Sequence, residues 1–369
     1  MLATMAARLP RTVTEQGLHY FVRPHETIPT GPVRSPAAWR GAELEGDRAR
    51  WIHVLSAAEI DELDRAVAQT RGKAVAALSR WDFPLPSLGP RLVKIRDEVA
   101  RGIGVQVLRG VPVERWSSED CERFFWAFGL HLGRPGAQNR DGELLGHVRD
   151  LGVSYDDPTV RGYKTKAALS YHCDAADAVG LLCLRTAKEG GQSRFVSSVT
   201  VWNELVRTQP ELAERLFSPF ALDTRGDGGL DFFRLPPCRY AGGVLRTFYH
   251  ADYFRTAEQH PGAPRLNETE RALLDAYDAI AGTEGIYLDM EFEPGDVQLL
   301  SNHTVLHART AYVDHEEPER KRHLLRLWLS FEGGYSLADA PSRVVEGARL
   351  GAELVRGVVR KRLAMSSRS

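Results

Sequence analysis

No apolar run in the 369-residue chain reaches the roughly 18 residues that a membrane span requires, so no membrane partner is expected. Net charge is nearly absent at −1, which removes the global field that would draw the chain to nucleic acid. Cysteine is scarce: Cys121, Cys173, Cys183 and Cys238 are widely spaced and form no CxxC pair. A disulfide framework is therefore excluded, and the pattern suits a reducing cytoplasm. The first residues lack the charged-then-apolar plan of a signal peptide. No internal repeat is found at solenoid or propeller periods, and the chain is not expected to divide into two independent domains.

What is present is the balance of a globular protein, with 43% apolar and 26% charged residues. Residues 1–50 are rich in Pro, Arg and Gly and read as an N-terminal arm. A single domain is expected over 51–335 and a helical tail over 336–369. The tail carries the basic cluster Arg360-Lys361-Arg362 on a helix from about Val344 to Leu363. That helix would pack on the core or on a second copy of the chain, so a homo-oligomer is one of two arrangements left open.

Helices and strands can be placed from caps and periodicity. Ser56-Ala57-Ala58-Glu59 and Asn267-Glu268-Thr269-Glu270 are capping boxes, and each predicts a helix. Further helices are expected over Gly89–Arg101 and after Ser117, the latter turning Phe124, Phe125 and Phe128 to a core. Val105–Arg109 alternates like a strand. Val179–Arg185 is apolar throughout and short, as a buried strand would be. Strands are also expected over Val297–Leu300, Thr304–Tyr312 and His323–Phe331, and Gly242-Gly243 marks a hairpin. A helical first third followed by strands gives an α+β class with a closed or sandwiched antiparallel core.

Two segments carry chemistry. One is Tyr171-His172-Cys173-Asp174; the other is Asn302-His303-Thr304-Val305-Leu306-His307-Ala308-Arg309. On an extended segment His172 and Asp174 share a face. With one distant histidine they supply two imidazoles and a carboxylate, the set that binds Fe(II) in non-haem oxygenases and leaves adjacent positions open. His303 and His307 would share a face on one strand, and His307 is preferred because it lies deeper in the apolar run. Two competing pairs, His250-Ala251-Asp252 and His315-Glu316-Glu317, read as a strand end and a charged loop. The same three ligands around a metal-bound water would suit a zinc hydrolase, or a jelly-roll metal-binding protein without catalysis.

Four stretches in order resemble the TauD/TfdA (taurine dioxygenase-like) family of Fe(II)/2-oxoglutarate-dependent dioxygenases. They are Leu108-Arg109-Gly110-Val111-Pro112 with the following helix, His172-Cys173-Asp174, Gly190-Gly191-Gln192-Ser193, and Asn302…His307-Ala308-Arg309 with Arg322-His323-Leu324-Leu325-Arg326. The resemblance implies a double-stranded β-helix (jelly-roll, cupin-like) core with flanking helices. It implies His172, Asp174 and His307 as iron ligands, and Ser193 with Arg322 as the 2-oxoglutarate contacts. Arg326 shares the face of Arg322 and is a further candidate for 2-oxoglutarate or for an anionic substrate. Thr200 fits the usual spacing better than Ser193, whereas Ser193 fits the glycine motif.

The implied reaction consumes O2 and 2-oxoglutarate and hydroxylates an unactivated C–H bond of a small polar metabolite, an amino-acid derivative or other small acid. Succinate and CO2 are released. With Asp174 present, hydroxylation is expected rather than halogenation. Tyr171, Gln138, Asn139, His147 and Arg149 are candidate substrate contacts, with Phe248 and Tyr249 behind them.

Overall fold

A computed structural model describes residues 9–155, 160–226 and 230–331. The core is a pair of facing sheets. The larger runs in the order Ile52–Val54, Val105–Arg109, Val297–Ser301, Ala178–Arg185, His323–Ser330, Arg134–Gly136, with Leu145–Val148 also paired to His323–Ser330. The smaller runs Leu288–Met290, Ser193–Ser197, Val305–Arg309, Leu169–His172. Neighbouring strands are antiparallel except for Ile52–Val54 beside Val105–Arg109. This is the jelly-roll core with flanking helices.

Alternation along each strand divides inside from outside. On Val305–Arg309, Leu306 and Ala308 enter an outer apolar cluster with Trp202, Leu273 and Tyr277, while Val305 joins Trp51, Phe195 and Trp328 between the sheets. His307 and Arg309 therefore face inward on the same side as Val305. The helices Ala57–Thr70, Gly89–Arg101 and Ser118–Leu132 cover the outer face of the larger sheet. There Phe124, Phe125 and Phe128 meet Leu182, Val297 and Leu327. Truncating one of these phenylalanines to alanine would cost about 3–5 kcal/mol.

The caps form as expected: the Ser56 and Asn267 boxes are both closed. The arm differs from expectation. Thr12 and Glu15 close a third capping box, and Val13–Phe21 is a helix with Gln16 and Tyr20 buried. A short helix, Gly41–Gly46, follows. The strand after Asn302 begins only at Val305, so His303 sits in a turn and does not share the face of His307. The expected C-terminal helix lies outside the described residues. No described helix is long and apolar enough to cross a membrane.

Candidate metal centre and its cavity

His172 ends one strand of the smaller sheet and lies directly opposite His307 on the next. Asp174 follows two residues on, its backbone N–H donating to Asn302 Oδ1 at 3.0 Å. The candidate ligand atoms of His172, Asp174 and His307 all lie within 4.8 Å of one another. The two imidazole centres are 4.2 Å apart, and His307 Nε2 is 3.8 Å from Asp174 Oδ2. His172 Nδ1 is 2.8 Å from the Ser170 carbonyl, the kind of second contact that fixes a ligand's tautomer and ring orientation.

The electrostatics keep His307 and Asp174 in binding form. Burial pushes His307 down to about 3, with His172 adding to the effect and Asp174 opposing it, so the ring is neutral. Burial alone would raise Asp174, but Arg326, His307 and His172 together hold it below the usual carboxylate range. Asp174 Oδ2 and His307 Nδ1 are buried without a hydrogen-bond partner among the described residues. Buried polar atoms are rarely left in that state without a ligand to account for them. The orphaned Asp174 Oδ2, which faces His307 Nε2 at 3.8 Å, fits a metal ion.

The triad lines a cavity of about 230 Å³. Ser193, Arg309, Arg322 and Arg326 also line it. Ser193 Oγ donates to Gln298 Oε1 at 3.0 Å. Thr200 does not reach the cavity: it lies in the Ser198–Thr208 helix and its hydroxyl donates to the Trp39 carbonyl at 2.6 Å. The glycine motif explains itself. Gly190 and Gly191 have φ of +73° and +74°, and a Cβ on Gly191 would stand 3.1 Å from Arg322 Nε. Glycine is needed for the backbone conformation and for the close approach of the guanidinium.

The two C-terminal arginines occupy different surroundings. Arg322 is buried beside Tyr312, its Nη1 unpartnered, and burial lowers it from the ordinary arginine value. Arg326 lies over Tyr163, 4.5 Å from the ring centre, with Nε donating to Gln138 Oε1 at 2.6 Å and Nη1 3.7 Å from Asp174 Oδ1. The Gln138 amide in turn donates to the carbonyls of Leu144 and Arg326. Gln138 thus lines the cavity as the support of Arg326.

Several other candidates do not line the cavity. Tyr171 points to the opposite face of its strand from Ser170 and His172 and is packed in the outer cluster. Asn139 spends its side chain on its own loop, meeting Glu143 and the Asp141 amide. His147 lies against His323 at 2.9 Å, and Arg149 is likewise absent from the cavity wall. Tyr249 is turned away, donating to Asp278 Oδ1 at 2.8 Å, whereas Phe248 does line the cavity.

Sequence reading missed the rest of the wall. The Val13–Phe21 helix contributes Gly17 and Phe21, and Phe21 packs edge-on against Phe233 and Phe248 at 5.2 and 5.0 Å. His250, set aside as a strand end, sits 5.1 Å from His172, stacks on Tyr253 at 3.5 Å and lines the cavity. The box Thr12…Glu15 was the available signal for the helix; for His250 the only signal was its HxD pair with Asp252, which was read as a strand end.

The taurine catabolism dioxygenase TauD, TfdA family model matches residues 64–328, and the chain belongs to this family. FR-33289 synthase of Streptomyces rubellomurinus (strain ATCC 31215) is 33% identical over 312 residues, covering 82% of this chain and 91% of that protein. A uridine-5'-phosphate dioxygenase of an Amycolatopsis species is 30% identical over 215 residues, 53% of this chain and 75% of that one. Among solved structures, an asparagine oxygenase bound to Fe(II), 2S,3S-3-hydroxyasparagine and succinate superposes with a TM-score of 0.63. It is 16% identical and covers 80% of this chain and 98% of its own. The non-heme iron oxygenase OrfP with Fe and alpha-ketoglutaric acid gives 0.56 at 16% identity, covering 76% and 94%. The protein is an Fe(II)- and 2-oxoglutarate-dependent dioxygenase. The hydrolase and the non-catalytic alternatives fall with this membership.

Proposed function

We propose that His172, Asp174 and His307 hold the iron, that Arg322 and Ser193 receive the far carboxylate of 2-oxoglutarate, and that Arg326 receives an acidic group of the substrate. The observation that carries this reading is the convergence of the three candidate ligands within 4.8 Å in a cavity that also holds buried, unpartnered guanidinium nitrogen. When bound, iron and 2-oxoglutarate supply the oxidising power of O2 to a C–H bond, with succinate and CO2 released. The chain's own residues bind, orient and exclude water.

Arg322 offers a planar fork to a carboxylate in a setting of low dielectric, where such a pair is strong. Arg326 is held by Gln138 and Tyr163 with Nη1 3.7 Å from Asp174 Oδ1, close to the candidate metal ligands, which suits it to a second anion. The aromatic wall of Phe21, Phe233 and Phe248 would shield the reacting carbon from solvent. A small acid, such as an amino-acid derivative or a phosphorylated metabolite, satisfies both poles; the relative named for uridine-5'-phosphate supports an anionic substrate.

Residues 51–335 are read as one catalytic domain. The four cysteines are free and buried, which supports a cytoplasmic setting.

The test is anaerobic addition of Fe(II) and 2-oxoglutarate. A visible charge-transfer band is expected, and it should be lost in Asp174→Ala and weakened in Arg322→Ala. Substrate follows from screening small acids for stimulated succinate release. A band unaffected by either substitution would end this assignment.

A further inference from the structure

Arg309 is the residue the assignment leaves unexplained. It sits two positions after His307 on the same inward face, with 7% of its surface exposed, and it lines the cavity. Its Nη2 donates to the carbonyls of Thr165 and Ala167, yet Nε and Nη1 are buried with no hydrogen-bond partner among the described residues. Among the described residues neither Arg309 nor Arg322 makes an ion pair. The two guanidinium groups lie 5.0 and 5.1 Å from the centre of the same ring, that of Tyr312. Asp150 and Asp314 offset these charges without pairing with them; two buried cations so close together remain costly, and an anion that bonds both would lower the cost.

The sheet register places that anion. Arg309 and Ser193 are directly opposite residues on adjacent antiparallel strands, so their side chains emerge together on the inner face. Ser193, Arg322 and Arg309 therefore line one region of the cavity, with the Tyr312 ring against both guanidinium groups and Gly191 giving Arg322 room to enter it.

We propose that Arg309 is a second cation of the 2-oxoglutarate carboxylate pocket, clamping the far carboxylate together with Arg322. The inference rests on the assignment of Arg322 made above. Its competitor is a purely structural Arg309 that ties down the Thr165–Ala167 backbone.

A titration of the anaerobic Fe(II) enzyme separates the two. The band is followed with 2-oxoglutarate and with 2-oxobutyrate, which keeps the keto-acid end and lacks the far carboxylate. Arg309→Leu is expected to raise the Kd for 2-oxoglutarate by about 10-fold or more, the scale of a lost charge-assisted hydrogen bond, and to leave 2-oxobutyrate unchanged. Arg309→Lys, which keeps the charge, should recover part of the loss and carries the test if the leucine variant does not fold. Equal weakening of both keto acids, or of neither, overturns the proposal. Wild-type enzyme that shows no band with either acid refutes the underlying assignment, a distinct failure that takes this inference with it.

Discussion

Asp174 and Asp177 stand three positions apart, and both are buried, at 8% and 4% exposure. Both are held below the usual carboxylate range by neighbours that outweigh the raising effect of burial. Their surroundings are otherwise opposite. Asp177 accepts from Arg23, His19 at 2.7 Å, His303 at 2.8 Å and the Phe331 N–H at 2.8 Å. Asp174 keeps Oδ2 unpartnered and has cationic or imidazole groups only at 3.7–3.8 Å. A carboxylate whose lone pairs are filled by the protein serves the fold; one whose lone pairs are left open serves a ligand. Asp177 fastens the Val13–Phe21 helix, through His19 and the following Arg23, to the turn that carries His303.

The sharpest way to break this contrast is to remove each acid. Asp177→Ala leaves Arg23 buried beside two imidazoles, and should lower unfolding free energy by about 3–5 kcal/mol in denaturant titration. Asp174→Ala should do little to the metal-free melt. It should weaken Fe(II) binding by more than about 100-fold, since loss of an outer-shell contact alone reaches that scale. Fe(II) should accordingly raise the melting temperature of wild type and leave that of Asp174→Ala unmoved.

A pH series sharpens the comparison further. Burial, aided by Arg23 and opposed by Asp177, pushes His303 down to about 4 from an ordinary 6.5. The unfolded chain then binds the proton first, so this contribution is complete above about 6.5 and is lost as pH falls towards 4. His303→Asn should flatten the stability profile in that window by about 1–3 kcal/mol relative to wild type. Asp177, depressed below 3.8, loses its own contribution only at lower pH. The smallest effect is expected at Gly17, on the cavity side of the latched helix. A Cβ there meets only Phe21 Cδ2 at 3.9 Å. Gly17→Ala should stabilise the helix by about 0.5–1 kcal/mol in the same titration while placing a methyl group in the cavity.

Much of this was legible in the residues. The Ser56 and Asn267 boxes, the Gly190-Gly191 break and the alternating strands each state a local rule, and local rules survive folding. The convergence of His172, Asp174 and His307 was legible because a metal demands a fixed set of donors. Arg322 and Ser193 were reached through the family pattern. What stayed hidden depends on contacts distant in sequence. Asp177 reads as one more acid until His19, Arg23 and His303 are brought to it. His147 and Asn139 carry suitable chemistry but are consumed by His323 and by a loop. The Val13–Phe21 helix was masked by the prolines and arginines around it, although Thr12 and Glu15 marked its start.

That helix has a consequence for how the enzyme's traits are divided along the gene product. The family pattern spans residues 64–328, and Gly17 and Phe21 lie upstream of it while forming part of the cavity wall. One wall of the cavity is thus written upstream of the stretch that carries the candidate ligands. Exchanging the leading segment between relatives would reshape that wall only if the exchanged helix still meets Asp177 through His19 and Arg23.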